Sequence, residues 1–302
     1  MQPESLTTTN GREAMFGHTA CPVCRVTAVA FYAEVDGYQT WICHACGLLW
    51  LDPQPSDADL NTFYSNSQLF GNYQDGKSYG ENETGLRQSA RLRLRHLHGL
   101  APVTNVMDIG CAMGFFLDEA RHYTDQLYGI EFSRDVADVA IQRFHFSVQV
   151  GPAETVIQTF PENHFAWITL WATIEHVRQP LELLQQVHAH LAPGGHVALT
   201  TGLFADSLER VMGGRSQWIS PPQHIWCFSR RSIVEALRRT GFANITVTPW
   251  ITGRGVNYDK IYNSLRLLKH VLARCVGRLA VTRAGINRSG TEMLVVAQRG
   301  SA

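Results

Sequence analysis

The sequence predicts an α/β chain: one doubly wound, mostly parallel sheet of seven strands, with a small cysteine-paired unit in front of it. Three observations lead there. Strand-like and helix-like segments alternate after Pro102, a glycine-containing loop runs from the first of those strands into a helix, and four of the seven cysteines fall into two Cys-x-x-Cys pairs.

Composition sets the frame. At 302 residues, 45% hydrophobic and 17% charged, the chain has room for one sizeable core plus an appendage. Basic and acidic residues balance at 26 each, so no global charge advertises a polyanion, and nucleic acid is a disfavoured partner. The sequence shows no basic-apolar-small signal pattern and no apolar run of the roughly 18–20 residues a membrane span needs. Cys111, Cys227 and Cys275 stand alone, an odd remainder that suits a reducing compartment better than a disulfide framework. A cytoplasmic location is the expectation.

Element by element, residues 1–18 are polar, Thr-rich and aperiodic, and predict a disordered leader. Residues 19–56 gather aromatic and β-branched residues around the cysteine pairs and close with Asp52-Pro53-Gln54-Pro55. Residues 57–100 predict a helical lid or linker: a short helix, a Gly/Asn/Tyr-rich loop, then a basic amphipathic helix carrying Arg87, Arg91, Arg93 and Arg95. Residues 101–302 supply the alternation, with strands at 105–109, 126–130, 148–150, 166–171, 196–201, 245–249 and 292–298. Helices are expected at 114–122, 133–143, 180–191 and 229–240.

Cys21-Pro-Val-Cys24 and Cys43-His-Ala-Cys46 are separated by 18 residues, the spacing of a zinc ribbon. Two thiolates from each pair can share one tetrahedron, and Gly47 permits the turn that aims backbone amides at sulfur. A four-sulfur site leaves no position for substrate, so the expected zinc is structural and supports a unit too small for its own core. Redox cysteines or incidental core thiols are the alternative, although a redox motif is ordinarily one such pair beside a βαβ unit.

The segment Val106-Met107-Asp108-Ile109-Gly110-Cys111-Ala112-Met113-Gly114-Phe115 is a strand, a turn and a helix start, where glycine loops approach nucleotides. A pyrophosphate cradle fits poorly, because Phe115 stands where close helix–strand packing wants Gly or Ala. Asp108 would also repel a pyrophosphate at a helix N-terminus that otherwise favours anions. S-adenosylmethionine carries an ammonium and a sulfonium and no phosphate, so the same carboxylate attracts it. Glu131, ending the next strand, can accept both hydroxyls of a ribose; alone it would read as a solvated turn.

With these residues the chain resembles the class I S-adenosylmethionine-dependent methyltransferases, within the branch that carries an N-terminal zinc-binding unit and includes deoxysugar C-methyltransferases. That resemblance implies a Rossmann-like sheet. Asp108 to Gly114 is similar to the family's D-x-G-x-G-x-G loop, with Ala112 at the middle glycine, and Glu131 to its ribose-binding acid. Ala153 and Glu154, in Gly151-Pro152-Ala153-Glu154, resemble the residues flanking the adenine. Trp167 to His176 resembles the fourth strand with its Glu-His end, which places Trp171 among the cofactor-binding residues. Leu191 to Gly195 resembles the turn into the fifth strand, and the resemblance implies that Tyr73 and Tyr79 close over the cofactor as a lid; partial anchoring is their other reading. The alanine's extra methyl is tolerable if φ is negative there.

Methyl transfer is an in-line displacement, so the protein mainly aligns the reactants and adds a base where the acceptor must lose a proton. His224, in the loop after Pro221-Pro222, is the first candidate for that base, and His176, at the end of the fourth strand beside Glu175, the second. A solvated loop histidine and a scaffold histidine are their other readings. Between the last two strands, Arg254 to Arg288 holds eight Lys/Arg residues against Asp259. Within that insertion at about 254–290, helix 261–280 suits an anionic lipid surface, a phosphorylated substrate or an acidic partner, or else a cap or dimer contact. The expected acceptor is a small molecule, with an RNA acceptor or a non-catalytic scaffold as alternatives.

Overall fold

The computed structural model describes residues 20–65, 82–204, 218–250 and 292–300. The expected leader, Tyr73, Tyr79 and the basic helix 261–280 lie outside the described residues.

Two sheets organise the chain. The first is antiparallel: β1 (Val29–Val35), β2 (Tyr38–Cys43) and β3 (Leu49–Leu51) follow one another, and the fourth strand, β9 (Trp226–Cys227), comes from far along the chain. Leu49 pairs with Cys227 and Trp50 with Trp226, so the cysteine-bearing unit completes its sheet with residues that follow His224. Helices α1 (Asp57–Ser65) and α2 (Glu83–His98) come next.

The main sheet contains β4 (Val106–Ile109), β5 (Leu127–Glu131), β6 (Ser147–Val150), β7 (Phe165–Trp171), β8 (Leu191–Gly202), β10 (Phe242–Trp250) and β11 (Glu292–Arg299). Their spatial order is β10-β11-β8-β7-β4-β5-β6. Strands β8, β7, β4, β5 and β6 run parallel, while β11 lies antiparallel between β8 and β10. This is the seven-stranded, mostly parallel sheet that the alternation predicts, with the Rossmann-like order that the resemblance implies. Helices α3 (Phe115–Ala120), α4 (Arg134–Phe144), α5 (Ala153–Val156), α6 (Pro180–His190) and α7 (Arg230–Arg239) connect its strands.

The central strands are apolar on both faces because helices cover both: all four residues of β4 are buried, and Trp167 and Phe165 on β7 are wholly inside. Helix α7 starts at a capping box formed by Ser229 and Ser232 and buries Ile233, Ala236 and Leu237. One core cluster joins Cys21, Leu48 and Trp50 of the cysteine unit to Ile174, Trp226 and Phe228, and onward to Met107 and Leu170 of the main sheet. The chain leaves β4 to one side for β5 and β6, and later to the other for β7 and β8. The crevice at that reversal, outside the carboxyl ends of β4, β5 and β7, is where open α/β sheets bind ligands.

Candidate active site and cysteine cluster

Asp108 sits near the end of β4, only 1% exposed, and accepts a hydrogen bond from Thr169 Oγ1 at 2.6 Å. Burial pushes its carboxyl up to about 7, against the opposing effect of that hydroxyl and of Arg93. Gly110 follows with φ +74, and a Cβ built there would lie 2.5 Å from Thr173 Oγ1, so both backbone and space demand glycine. Gly114 caps α3 in the same left-handed region, at φ +82.

Ala112 differs from expectation. Its φ is +48 rather than negative, which places an L side chain in the region glycine favours. Its backbone N–H donates to Glu131 Oε2 at 3.0 Å, while Ser133 N–H donates to Glu131 Oε1 at 3.0 Å. Both oxygens of the strand-end acid are thereby oriented, and each keeps a second lone pair for another donor. Burial raises the Glu131 carboxyl, with the backbone donors opposing.

Trp171, at the end of β7, packs edge-on against Phe116 with ring centroids 5.1 Å apart, and the Arg93 guanidinium lies over its face at 4.6 Å. Its buried Nε1–H has no acceptor among the described residues. Helix α2 is pinned in place by ion pairs. Arg87 reaches Glu83, Asp118 and Glu119, Arg91 reaches Glu119, and Arg143 reaches Glu83. Arg87 and Arg91, two of the four arginines of this basic helix, thus serve intramolecular contacts. Ala153 begins α5 and packs on the core edge, and Glu154 Oε1 faces the Gln179 N–H at 3.4 Å.

His176 and His224 come together from segments far apart in the chain, with ring centroids 4.9 Å apart. The Nδ1–H of His176 donates to the Gln223 carbonyl at 2.9 Å and that of His224 to the Trp218 carbonyl at 3.0 Å. A carbonyl can only accept, so in both neutral rings the lone pair lies on Nε2. Burial lowers them, His176 to about 3 and His224 to about 4, so both imidazoles are neutral at physiological pH. Glu175, missed as a site residue, is 2% exposed, and among the described residues neither carboxylate oxygen has a hydrogen-bond partner. Only its place beside His176 could have flagged it.

The four paired cysteines converge. Cys21 Sγ lies 3.7 Å from Cys46 Sγ and Cys24 Sγ 3.6 Å from Cys43 Sγ, and all four sulfurs fall within 4.8 Å of one another. Gly47, at φ +76, closes the second knuckle through its N–H to Cys43 O at 2.7 Å.

Fold and site together define a class: an open α/β domain with a strand-end crevice walled by buried acids. Residues 80–247 match the model of a methyltransferase-domain family, more than half of the chain. The chain belongs to that family of methyltransferases. Over 103 residues it is 29% identical to a ubiquinone biosynthesis O-methyltransferase of Vibrio cholerae, covering 32% of this chain and 41% of that one. Over 157 residues it is 22% identical to phosphoethanolamine N-methyltransferase 2 of Caenorhabditis elegans, covering 48% and 33%. The matched region thus spans less than half the length of either relative. A SAM-dependent methyltransferase of Archaeoglobus fulgidus superposes with a TM-score of 0.52 at 15% identity, over 73% of this chain and 98% of that chain. Haemonchus contortus phosphoethanolamine N-methyltransferase 2, bound to phosphomonomethylethanolamine and S-adenosylhomocysteine, gives 0.51 at 16%, over 84% and 63%. At these identities the likeness speaks for the fold. Among the described residues no helix is long and apolar enough to cross a membrane.

Proposed function

We propose that the chain transfers the methyl group of S-adenosylmethionine to a small-molecule acceptor, a sugar, sugar nucleotide or another biosynthetic intermediate. The observation that carries this is the pair of buried acids at adjacent strand ends, Asp108 without a cation in hydrogen-bond contact among the described residues and Glu131 with both oxygens aimed by backbone donors. A phosphate-bearing dinucleotide meets repulsion there, whereas a cationic nucleoside meets attraction. The named relatives, an O-methyltransferase of ubiquinone biosynthesis and an N-methyltransferase of phosphoethanolamine, are consistent with a small acceptor.

When bound, the cofactor supplies an electrophilic methyl on a sulfonium. The chain's own residues do the rest. Asp108 and Glu131 hold the cation and the ribose, Gly110, Ala112 and Gly114 bring backbone close, and Ala153 and Glu154 flank the adenine. Trp171 floors the crevice, and Phe132, exposed directly after Glu131, offers a ring face beside it. His224, with His176 beside it, is the acceptor-side pair, where an imidazole lone pair orients or takes up the acceptor's proton. Cys21, Cys24, Cys43 and Cys46 hold a structural zinc, which their mutual spacing fits.

An RNA acceptor is disfavoured because Arg87 and Arg91 are engaged by acids. The test is incubation of the zinc-loaded chain with methyl-labelled S-adenosylmethionine and a fractionated cell extract. Label appearing in the low-molecular-mass fraction supports the reading; label confined to RNA or protein contradicts it.

A further inference from the structure

Beyond the cysteine cluster, one other group of side chains among the described residues has metal-ligand chemistry: Glu175, His176 and His224, each offering a ligand atom within 4.8 Å of the other two. They arise from two places. Glu175 and His176 lie in the turn after β7, and His224 lies just ahead of β9. Backbone bonds lock the two together, since the N–H groups of Ile225 and Trp226 both donate to Glu175 O, at 2.9 and 3.1 Å.

Three features separate this group from a chance cluster. Glu175 is 2% exposed, yet among the described residues neither carboxylate oxygen has a hydrogen-bond partner, and a buried carboxylate left so costs several kcal/mol unless a cation or proton meets it. It borders a gap too tight for a water molecule, shared with Thr201, Gly202, Trp218, His224, Trp226 and Cys227. Each imidazole, in turn, donates Nδ1–H to a backbone carbonyl, the outer contact that fixes the tautomer of metal-ligating histidines and presents Nε2.

We propose that Glu175, His176 and His224 form a second metal site, taking a divalent transition ion of the zinc, cobalt or manganese class. Two imidazoles and one carboxylate suit such an ion better than magnesium or calcium, which prefer oxygen. Three protein ligands leave a coordination position open, unlike the four-sulfur knuckle. The assignment rests on reading this face as the acceptor side, and it moves the histidines from direct proton uptake to holding the ion.

The test uses the full chain, reduced and stripped, then titrated with cobalt(II). Expected are about two equivalents, one with the intense near-ultraviolet thiolate band of the knuckle and one with only weak visible absorption. Glu175→Gln and His224→Gln should keep the thiolate band and weaken the second equivalent at least tenfold. S-adenosylhomocysteine binding, measured in parallel, reports whether each variant is folded. A wild type that takes up one equivalent, or variants that retain both, overturns the proposal. Two equivalents in a chain that binds no S-adenosylhomocysteine would uphold the metal site and sink the methyltransferase reading instead.

Discussion

Glu131 Oε2 accepts the backbone N–H of Ala112 at 3.0 Å, tying the end of β5 to the loop that follows β4. The acid proposed to bind the ribose thus also shapes the loop beneath it. Glu131→Gln keeps one acceptor oxygen and should weaken S-adenosylhomocysteine binding about tenfold, while Glu131→Ala should weaken it about a hundredfold, in line with about 1.5–3 kcal/mol for hydrogen bonds to charged groups. Calorimetric titration of both variants checks this; equal affinities for wild type and Glu131→Ala would remove Glu131 from the site.

The left-handed backbone at Ala112, φ +48, makes a prediction of opposite sign. Ala112→Gly relieves about 1 kcal/mol of strain, partly offset by the entropy of a freer unfolded chain. A small rise in Tm with undiminished cofactor affinity is expected in a thermal melt. Gly110→Ala should do the reverse, since its φ of +74 is joined by the 2.5 Å approach to Thr173 Oγ1; an Ala variant as stable as wild type would contradict this geometry.

Asp108 sets a pH dependence. Its carboxyl is raised from 3.8 to about 7 by burial, so between those values the folded chain holds a proton that the unfolded chain has released. Its contribution to stability is therefore fully present below about pH 4 and is lost as pH rises through about 7. Asp108→Asn should flatten that part of the stability curve, measured by urea melts from pH 4 to 8. A cationic ligand favours the carboxylate, so binding of S-adenosylmethionine at pH 6.5 should release roughly half a proton or more. Calorimetry in two buffers of different ionisation enthalpy reads that number, and no proton release would exclude Asp108 as the cation's partner.

Removal of the metal proposed for the knuckle should be felt at the proposed acceptor side. Strand β3 pairs with β9 directly after His224, and Ser229 Oγ donates to Cys46 O. Cys43→Ser, or chelation under reducing conditions, should abolish amide protection at Cys227 together with that at Leu49 to Leu51, whereas the Trp226 N–H is held by Glu175 O instead. Protection at Met107 and Ile109 in β4 should persist. Hydrogen exchange with mass analysis separates these peptides, and unchanged protection at Cys227 would mean that the cysteines are not what holds β9.

Much of this was legible in the sequence, and the exceptions share a cause. The parallel strands and their helices follow local periodicity, so β4, β5 and β7 fall within a residue or so of expectation. Strand β8 extends back to Leu191, but regular pairing with β7 and β11 begins at His196 as expected, and Gly194, at φ +76, keeps the turn that Pro193-Gly194-Gly195 predicts. Strand β9 escaped notice since two residues carry no period, and only pairing with β3, far away in sequence, defines it. The roles of Arg87 and Arg91 were hidden similarly, their partners Asp118 and Glu119 lying on another helix. The meeting of Glu175 with the two histidines depends on the same long-range closure. Residues 80–247 carry the family match, and the paired cysteines lie ahead of it, so the zinc assignment stands on the four-sulfur geometry.

The central claim is that the strand-end acids serve S-adenosylmethionine. Isothermal titration of the reduced, zinc-loaded chain with S-adenosylmethionine, beside NAD as the competing nucleotide, tests it most directly. Micromolar binding of S-adenosylmethionine with none of NAD is the predicted result. A folded, metal-loaded chain that binds NAD instead, or neither ligand, would contradict the account.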